Sequence, residues 1–136
     1  MKAPDTLIEA RLDVEHAMLV AYGALTCDSN PIHLDAGFAA TTPYGRCIAH
    51  GTLSLNVLWQ SIAATFDAAT AARLDLDIRF TAPVFVGERL VGGGARVPGS
   101  DARYEVWVRA GDRTVMAGEL GLQPAALRPS APGISS

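Results

Sequence analysis

Between Cys27 and Thr52 the chain gathers most of its reactive side chains: Asp28, Ser29, Asn30, His33, Asp35, Arg46, Cys47 and His50, with two of its three histidines. A carboxylate beside an imidazole makes the proton-accepting and proton-donating pair that general acid–base chemistry needs. Asp28 and His33 stand five positions apart with Pro31 between them. They are therefore not stacked neighbours on one helix, and a turn has to set their geometry. The run Asp28-Ser29-Asn30-Pro31 also reads as an Asx turn that caps a helix. Downstream, His50-Gly51 stands immediately before a long apolar segment. Glycine permits close approach to the backbone, and the amides of a first helical turn are unpaired at the positive end of the helix dipole, which suits a developing oxyanion. On spacing alone, Gly51 reads equally as a plain helix start and His50 as a hydrogen-bonded core histidine.

Cys27, His33, Cys47 and His50 are the residue types of a zinc site. However, structural zinc ligands come as closely paired cysteines, whereas these two are twenty positions apart and each is matched only with a histidine. No metal is expected. Neither thiol has an evident helix N-terminus or cationic cluster to lower its pKa, so both are expected to be buried apolar cysteines.

The elements that must position these groups change in texture along the chain. Ile8, Ala10, Leu12 and Val14 alternate with charged residues and predict a short opening strand over Leu7 to Val14. A helix is expected from about Glu15 to Leu25, then a loop over residues 28 to 50 with a helical turn at Leu34 to Thr41, punctuated by Asn30-Pro31, Pro43 and Gly45. The strongest helix runs from Gly51 to about Ala69, with Leu55, Leu58, Trp59, Ile62 and Phe66 at three- and four-residue steps and apolar residues on most other faces. That predicts a helix wrapped by other structure. Strands are predicted at Arg73 to Ala82, Arg89 to Val97, Arg103 to Arg109 and Thr114 to Leu122, divided by turn residues, which spells an antiparallel meander. Gly92-Gly93-Gly94 lacks the Lys-Ser/Thr of a phosphate loop and reads as a bend or bulge in that sheet. The whole is an α+β architecture, a sheet curved around one long helix, and its open edges favour pairing with another subunit.

With 136 residues there is room for one domain, read as residues 1–123 with a Pro/Ala/Ser tail over 124–136 expected to be disordered. Fourteen acidic and eleven basic side chains leave a net charge of −3, so no overall positive field exists to attract nucleic acid. No apolar run is long enough to span a membrane. The opening residues show no apolar leader and two cysteines imply no disulfide framework, so a cytoplasmic setting is expected. Ten of the eleven basic residues are arginines, most on the predicted strands, where a solvated sheet face is their ordinary meaning.

Asp28-Ser29-Asn30-Pro31-Ile32-His33, followed by Tyr44-Gly45-Arg46-Cys47-Ile48-Ala49-His50-Gly51, resembles the hydratase-2 motif of the MaoC-like dehydratases, which include the R-specific enoyl-CoA hydratases. Arg79-Phe80-Thr81-Ala82-Pro83-Val84-Phe85-Val86-Gly87-Glu88 resembles the strand and turn after that family's central helix, and the likeness covers most of residues 15–97. The resemblance implies a hot-dog fold, a homodimer or higher even oligomer, and reversible hydration of a trans-2-enoyl thioester to an (R)-3-hydroxyacyl thioester. Asp28 and His33 would be the catalytic pair and Asn30 would orient them. Gly51, with His50 and Thr52 beside it, would bind the thioester oxygen and substrate. No cofactor is implied, because coenzyme A or acyl carrier protein enters as part of the substrate; its phosphates would require a local arginine patch. Two departures, Thr52 where the family often has Met and Cys27 where a smaller residue is usual, fall beside the pair without touching it. A hot-dog thioesterase would use a carboxylate with similar helix-end amides, but the Asp-x-Asn-Pro-Ile-His block speaks against it. A noncatalytic acyl-thioester-binding partner subunit is opposed by the intact Asp28/His33 pair.

Overall fold

The computed structural model of the chain describes residues 3–123; the expected tail at 124–136 lies outside them. In chain order the elements are β1 (Ala10–Asp13), α1 (His16–Thr26), α2 (Pro31–Leu34), α3 (Ala36–Ala40), α4 (Gly51–Thr65), α5 (Ala68–Ala71), β2 (Leu74–Phe80), β3 (Arg89–Arg96), β4 (Arg103–Ala110) and β5 (Arg113–Leu122). The five strands form one antiparallel sheet in the order β1-β3-β4-β5-β2. This is the expected α+β arrangement of a sheet against one long helix, with differences of detail.

The first concerns topology. Only β3, β4 and β5 form a meander; β2 joins the far side of β5 rather than pairing with β3. The turn residues Pro83 and Gly87 belong to a long crossing segment whose backbone bonds go elsewhere: Thr81 N–H to Val115, Val86 N–H to Cys47 and Gly87 N–H to Val14, while the Val84 carbonyl accepts from Ala49. A segment anchored at four such points cannot also close a hairpin between its own flanking strands.

The second concerns the residues just before β1. Ala10, Leu12 and Val14 face inward as expected, but Leu7 is buried and Ile8 is 58% exposed, the reverse of the expected phase. The Ile8 N–H donates to Thr65 Oγ1 and its carbonyl accepts from Ser61 Oγ. These bonds to α4 draw Ile8 off the ladder, and side-chain alternation slips by one residue there.

The third concerns α4, which stops at Thr65 because Phe66 is extended and the Asp67 carboxylate accepts from the Thr70 N–H, starting α5 afresh. Its buried face is Leu53, Ser54, Val57, Leu58, Ser61 and Ile62, while Trp59, Gln60, Ala63 and Ala64 are exposed. The chain alone thus covers one face of the helix, rotated from the stripe the apolar spacing suggested. Ser54 and Ser61 enter the core because each hydroxyl donates to a carbonyl, of Gly51 and Ile8 respectively. Leu58 and Ile62 are fully buried, each contributing roughly 1.5–3 kcal/mol by removal from water.

The fourth concerns the glycine run. Gly92, Gly93 and Gly94 lie in register inside β3, opposite Val108, Trp107 and Val106, and the ladder irregularity falls instead between Val108 and Arg109. A Cβ on Gly92 would lie 3.1 Å from both the Val57 carbonyl oxygen and its Cγ1, so this glycine lets the sheet press against the helix backbone. The expected single helical turn at Leu34 to Thr41 is likewise two short helices, α2 and α3, because the Asp35 side chain caps a new start by accepting from the Phe38 N–H.

Candidate active site

The site grows out of the end of α1. Cys27 takes up the left-handed conformation (φ 57°, ψ 32°), and both its N–H and that of Asp28 donate to the Gly23 carbonyl. The chain thereby turns sharply and presents Asp28. Cys27 is exposed at this turn, so the expectation of a buried thiol holds for Cys47 and fails for Cys27. The Asn30 carboxamide oxygen accepts from the Ile32 N–H, and the Asn30 N–H donates to Asp28 Oδ1 at 3.3 Å. The Asx turn is therefore real: Asn30 caps α2, Pro31 fills its first position, and that single turn carries His33.

His33 is 9% exposed, and its Nδ1 lies 2.7 Å from the Ile48 carbonyl oxygen. A carbonyl only accepts, so Nδ1 carries the proton and Nε2 is the nitrogen left to do chemistry. Nε2 faces Asp28 Oδ2 at 3.7 Å, too long for a direct hydrogen bond and short enough for both atoms to hold one small molecule. The Asp28 side chain is half exposed, so the pair opens toward solvent.

His50, at 3% exposure, lies beneath this pair. Its Nε2 donates to the Asp28 carbonyl at 3.0 Å, its ring stacks on His33 with centroids 3.9 Å apart, and Tyr22 meets it edge-on at 5.1 Å. The same donation leaves Nδ1 as a bare lone pair with no partner. Thr52 turns toward α1, where its hydroxyl accepts from the Tyr22 hydroxyl at 2.6 Å. Gly51 opens α4; its N–H and that of Thr52 have no hydrogen-bond partner among the described residues. The Phe80 ring packs 3.5 Å from where a Gly51 Cβ would be.

His33, His50 and Gly51 line a cleft of about 410 Å³ together with Tyr44, Ile48, Ala49, Ser54 and the crossing segment from Phe80 to Val84. The first residue of α4 and His33 thus border one space. Asp28, His33 and His50 also offer three metal-ligand atoms within 4.8 Å of one another, a set in which Asp28 takes the place of the cysteines considered above. The two imidazoles are stacked 26° from parallel, and each commits one nitrogen to a carbonyl and so has only the other to offer.

Sequence reading did not single out Gly23 and Tyr22. A Cβ on Gly23 would lie 2.7 Å from the Asp28 carbonyl oxygen and 3.4 Å from His50 Nε2, so the site closes only because that residue has no side chain. The available signal was a glycine in a helix interior, which costs about 1 kcal/mol against Ala and so asks for a reason. Arginines show a pattern as well. Arg89 pairs with Asp13, Arg96 with Asp5, Arg103 with Glu119 and Arg113 with Glu88, so the solvated sheet face is largely an ion-paired one.

The chain is similar to known proteins in sequence and in fold. Two relatives are the (R)-specific enoyl-CoA hydratase of Aeromonas caviae, 36% identical over 74 residues (54% of this chain, 55% of that one), and the 3-hydroxybutyryl-CoA dehydratase of Methylorubrum extorquens, 32% identical over 76 residues (56% and 48%). The chain spans about half the length of the curated relatives it matches. Among solved structures, the (R)-hydratase of A. caviae superposes with a TM-score of 0.68 at 25% identity, covering 90% of this chain and all of that one. The R-hydratase of Pseudomonas aeruginosa gives 0.73 at 26% identity, covering 96% and 92%. The sheet and long helix are those of the hot-dog fold. Residues 2–113 match the family described as the MaoC like domain, and the chain belongs to that family.

Proposed function

We propose that this chain is a hydro-lyase that reversibly adds water to a trans-2-enoyl thioester, giving an (R)-3-hydroxyacyl thioester. The observation that carries this reading is the Asp28 Oδ2 to His33 Nε2 separation of 3.7 Å beside the unpaired amide of Gly51. A water molecule held by Asp28 and His33 loses a proton to one of them as its oxygen bonds to Cβ. The π electrons move through Cα to the thioester oxygen, whose negative charge meets the Gly51 N–H at the positive end of α4. The enolate collapses and the proton taken from water is returned to Cα, so H and OH arrive from the same side. Water supplies both the hydroxyl and the proton, the chain supplies the base that carries the proton and the oxyanion donor, and no cofactor enters the balance. Stereochemistry rests on the two relatives named (R)-specific and (R)-hydratase.

His50 supports rather than joins this exchange, since its polar nitrogen holds the Asp28 main chain. The exposed face of α4, with Trp59 39% exposed, supports assembly of two copies through that side. Among the described residues no helix is long and apolar enough to cross a membrane, and two free thiols support a reducing compartment, which we read as cytoplasm. The test is loss of the conjugated enoyl-thioester absorbance with crotonyl-CoA and its longer homologues, with chiral analysis of the product. Turnover of none of them, with free thiol released instead, overturns the reading in favour of a thioesterase.

A further inference from the structure

Five arginines of the described chain are tied up in ion pairs: Arg11, Arg89, Arg96, Arg103 and Arg113. Arg46, like Arg73, Arg79 and Arg109, has no ion pair and no side-chain hydrogen bond among the described residues; its guanidinium carbon sits 4.1 Å above the centre of the Phe85 ring, as that of Arg109 sits 4.4 Å from Trp107 on the outer sheet face. A guanidinium laid on an aromatic face loses much of its side-chain freedom while its donor edge stays available, which is how an arginine is pre-ordered for a planar or tetrahedral anion.

Its place matters as much as its state. Phe85 bridges Ile48, the residue whose carbonyl fixes His33 Nδ1, and Tyr44 of the cleft wall meets the same ring edge-on at 6.5 Å. Arg113 also reaches Phe85, at 5.6 Å, but its charge is answered by Glu88 and one of its nitrogens holds the Pro83 carbonyl. The two guanidiniums and one carboxylate therefore leave one uncompensated positive charge at the rim of the cleft, in a chain of net charge −3. Arg46 stands five positions before Gly51, so their main-chain atoms lie no more than ~18 Å apart.

We propose that Arg46, held over Phe85, is the receptor for a phosphate of the pantetheine carrier, the part of the thioester substrate that the acyl chemistry does not touch. This rests on the hydration reading above and adds to it the group that grips the carrier. The 4′-phosphate is common to coenzyme A and to the arm of an acyl carrier protein, and the adenosine phosphates belong to coenzyme A alone.

Three crotonyl thioesters separate these sources: pantetheine, 4′-phosphopantetheine and coenzyme A. The preference in kcat/KM for each phosphorylated form over crotonyl-pantetheine is expected to fall about tenfold in Arg46→Ala and further in Arg46→Glu, with the change carried by KM. Arg46→Lys keeps charge but not the fork and should fall between. Loss of preference already with phosphopantetheine assigns the shared phosphate; loss with coenzyme A only assigns the adenosine side. An unchanged preference in Arg46→Glu overturns the proposal, as does an equal loss on all three thioesters, which would mark Arg46 as a packing residue for Phe85. Should the parent hydrate none of them, nor the longer enoyl homologues, the hydration reading fails on its own. Calorimetry with 4′-phosphopantetheine and with free coenzyme A then still decides: weaker binding of either by Arg46→Ala supports the receptor, and equal affinity for both overturns it.

Discussion

Between Cys27 and Thr52 the shape is held by side chains and ring nitrogens reaching main-chain groups: Asn30 to the Ile32 N–H, His33 to the Ile48 carbonyl, His50 to the Asp28 carbonyl. In β3, β4 and β5 it is held by ladder register, and the charged side chains pair with one another above the sheet. In the first region each polar contact is a single link with no neighbour to replace it, so removing one atom moves a reacting group. In the second, many parallel backbone bonds share the load, and one surface charge can be lost with little consequence. The contrast sets a cleft of about 410 Å³, lined by His33, His50 and the start of α4, against a depression of about 380 Å³ on the outer sheet face, whose lining includes Asp77, Glu105, Trp107 and Glu119 but neither an imidazole nor a helix-end amide.

The largest effect should come from the reacting pair. Asp28→Asn keeps the shape and removes the charge; His33→Ala removes the proton carrier. Each is expected to lower kcat by on the order of 10²–10⁴-fold, the usual worth of a positioned acid or base. On the proposed mechanism the two act on one water, so the double variant should be little worse than either single. Kinetics on the substrate the parent turns over fastest, with circular dichroism to confirm folding, would measure this. Multiplicative losses would mean two independent groups and break the single-unit reading.

Next comes Gly23→Ala, which touches no substrate. Alanine is the better helix former by about 1 kcal/mol, yet its Cβ would stand 2.7 Å from the Asp28 carbonyl oxygen. The carbonyl must move, taking Asp28 and its bond from His50 with it. A displacement near 1 Å costs roughly 10²-fold in rate, whereas overpacking costs about 1–3 kcal/mol, partly offset by the helical gain. The expected result is therefore a folded protein with kcat lowered at least tenfold. Wild-type kcat in a variant of unchanged melting temperature would show that the Asp28 carbonyl is not fixed as tightly as the geometry implies.

How legible all this was in the sequence follows the same division. Asp28, Asn30, His33 and Gly51 could be picked out because their types and a proline-marked spacing announce a turn before a helix. The long helix and the strands were legible from periodicity. Gly23 and Tyr22 were not, since their effect depends on which helix lies across them, and that is set by tertiary contact. The β2 to β5 pairing was hidden because Pro83 and Gly87 look the same in a hairpin turn and in a crossing segment; only the partners of the Ala49, Val86 and Gly87 amides distinguish the two. The alternation of Ala10, Leu12 and Val14 was read as it stands, and only the outward turn of Ile8 before β1 was hidden, set by Ser61 and Thr65, two hydroxyls on a helix that periodicity counts merely as polar.

A smaller effect is expected where the crossing segment joins the sheet. Burial pushes the Glu88 carboxyl up, but its hydrogen bonds from Arg113 and the Phe85 N–H outweigh that and hold it below its ordinary value of 4.5. A carboxylate with a depressed folded pKa adds stability above its unfolded pKa and loses it as pH falls through the folded one. Glu88→Gln keeps an acceptor for Phe85 and loses the charge. It should cost on the order of 1 kcal/mol at pH 7, less than the ~1.5–3 of a charged hydrogen bond because Arg113 is partly exposed. The gap to the parent should narrow as pH drops below about 4. Denaturant midpoints at several pH values test this, and a gap that is constant with pH would assign the loss to packing.

The smallest effect is expected on the outer sheet face, where Glu119 stands opposite Asp77 on β2 and opposite Glu105 on β4. Like charges directly across strands repel, and Arg103, bonded to Glu119, answers only part of that row. Glu119→Gln removes an exposed ion pair and two repulsions together. These oppose each other and are both screened by salt, so the melting temperature should stay at the parent value, or rise slightly at low ionic strength where the repulsions are strongest. Activity should be unaffected, because no polar link runs from this row to the Asp28 turn. A clear fall in melting temperature would mean that side-chain pairing, and not ladder register, holds this face. A fall in kcat without destabilisation would mean that the outer depression communicates with the cleft, and the contrast between the two regions would no longer stand.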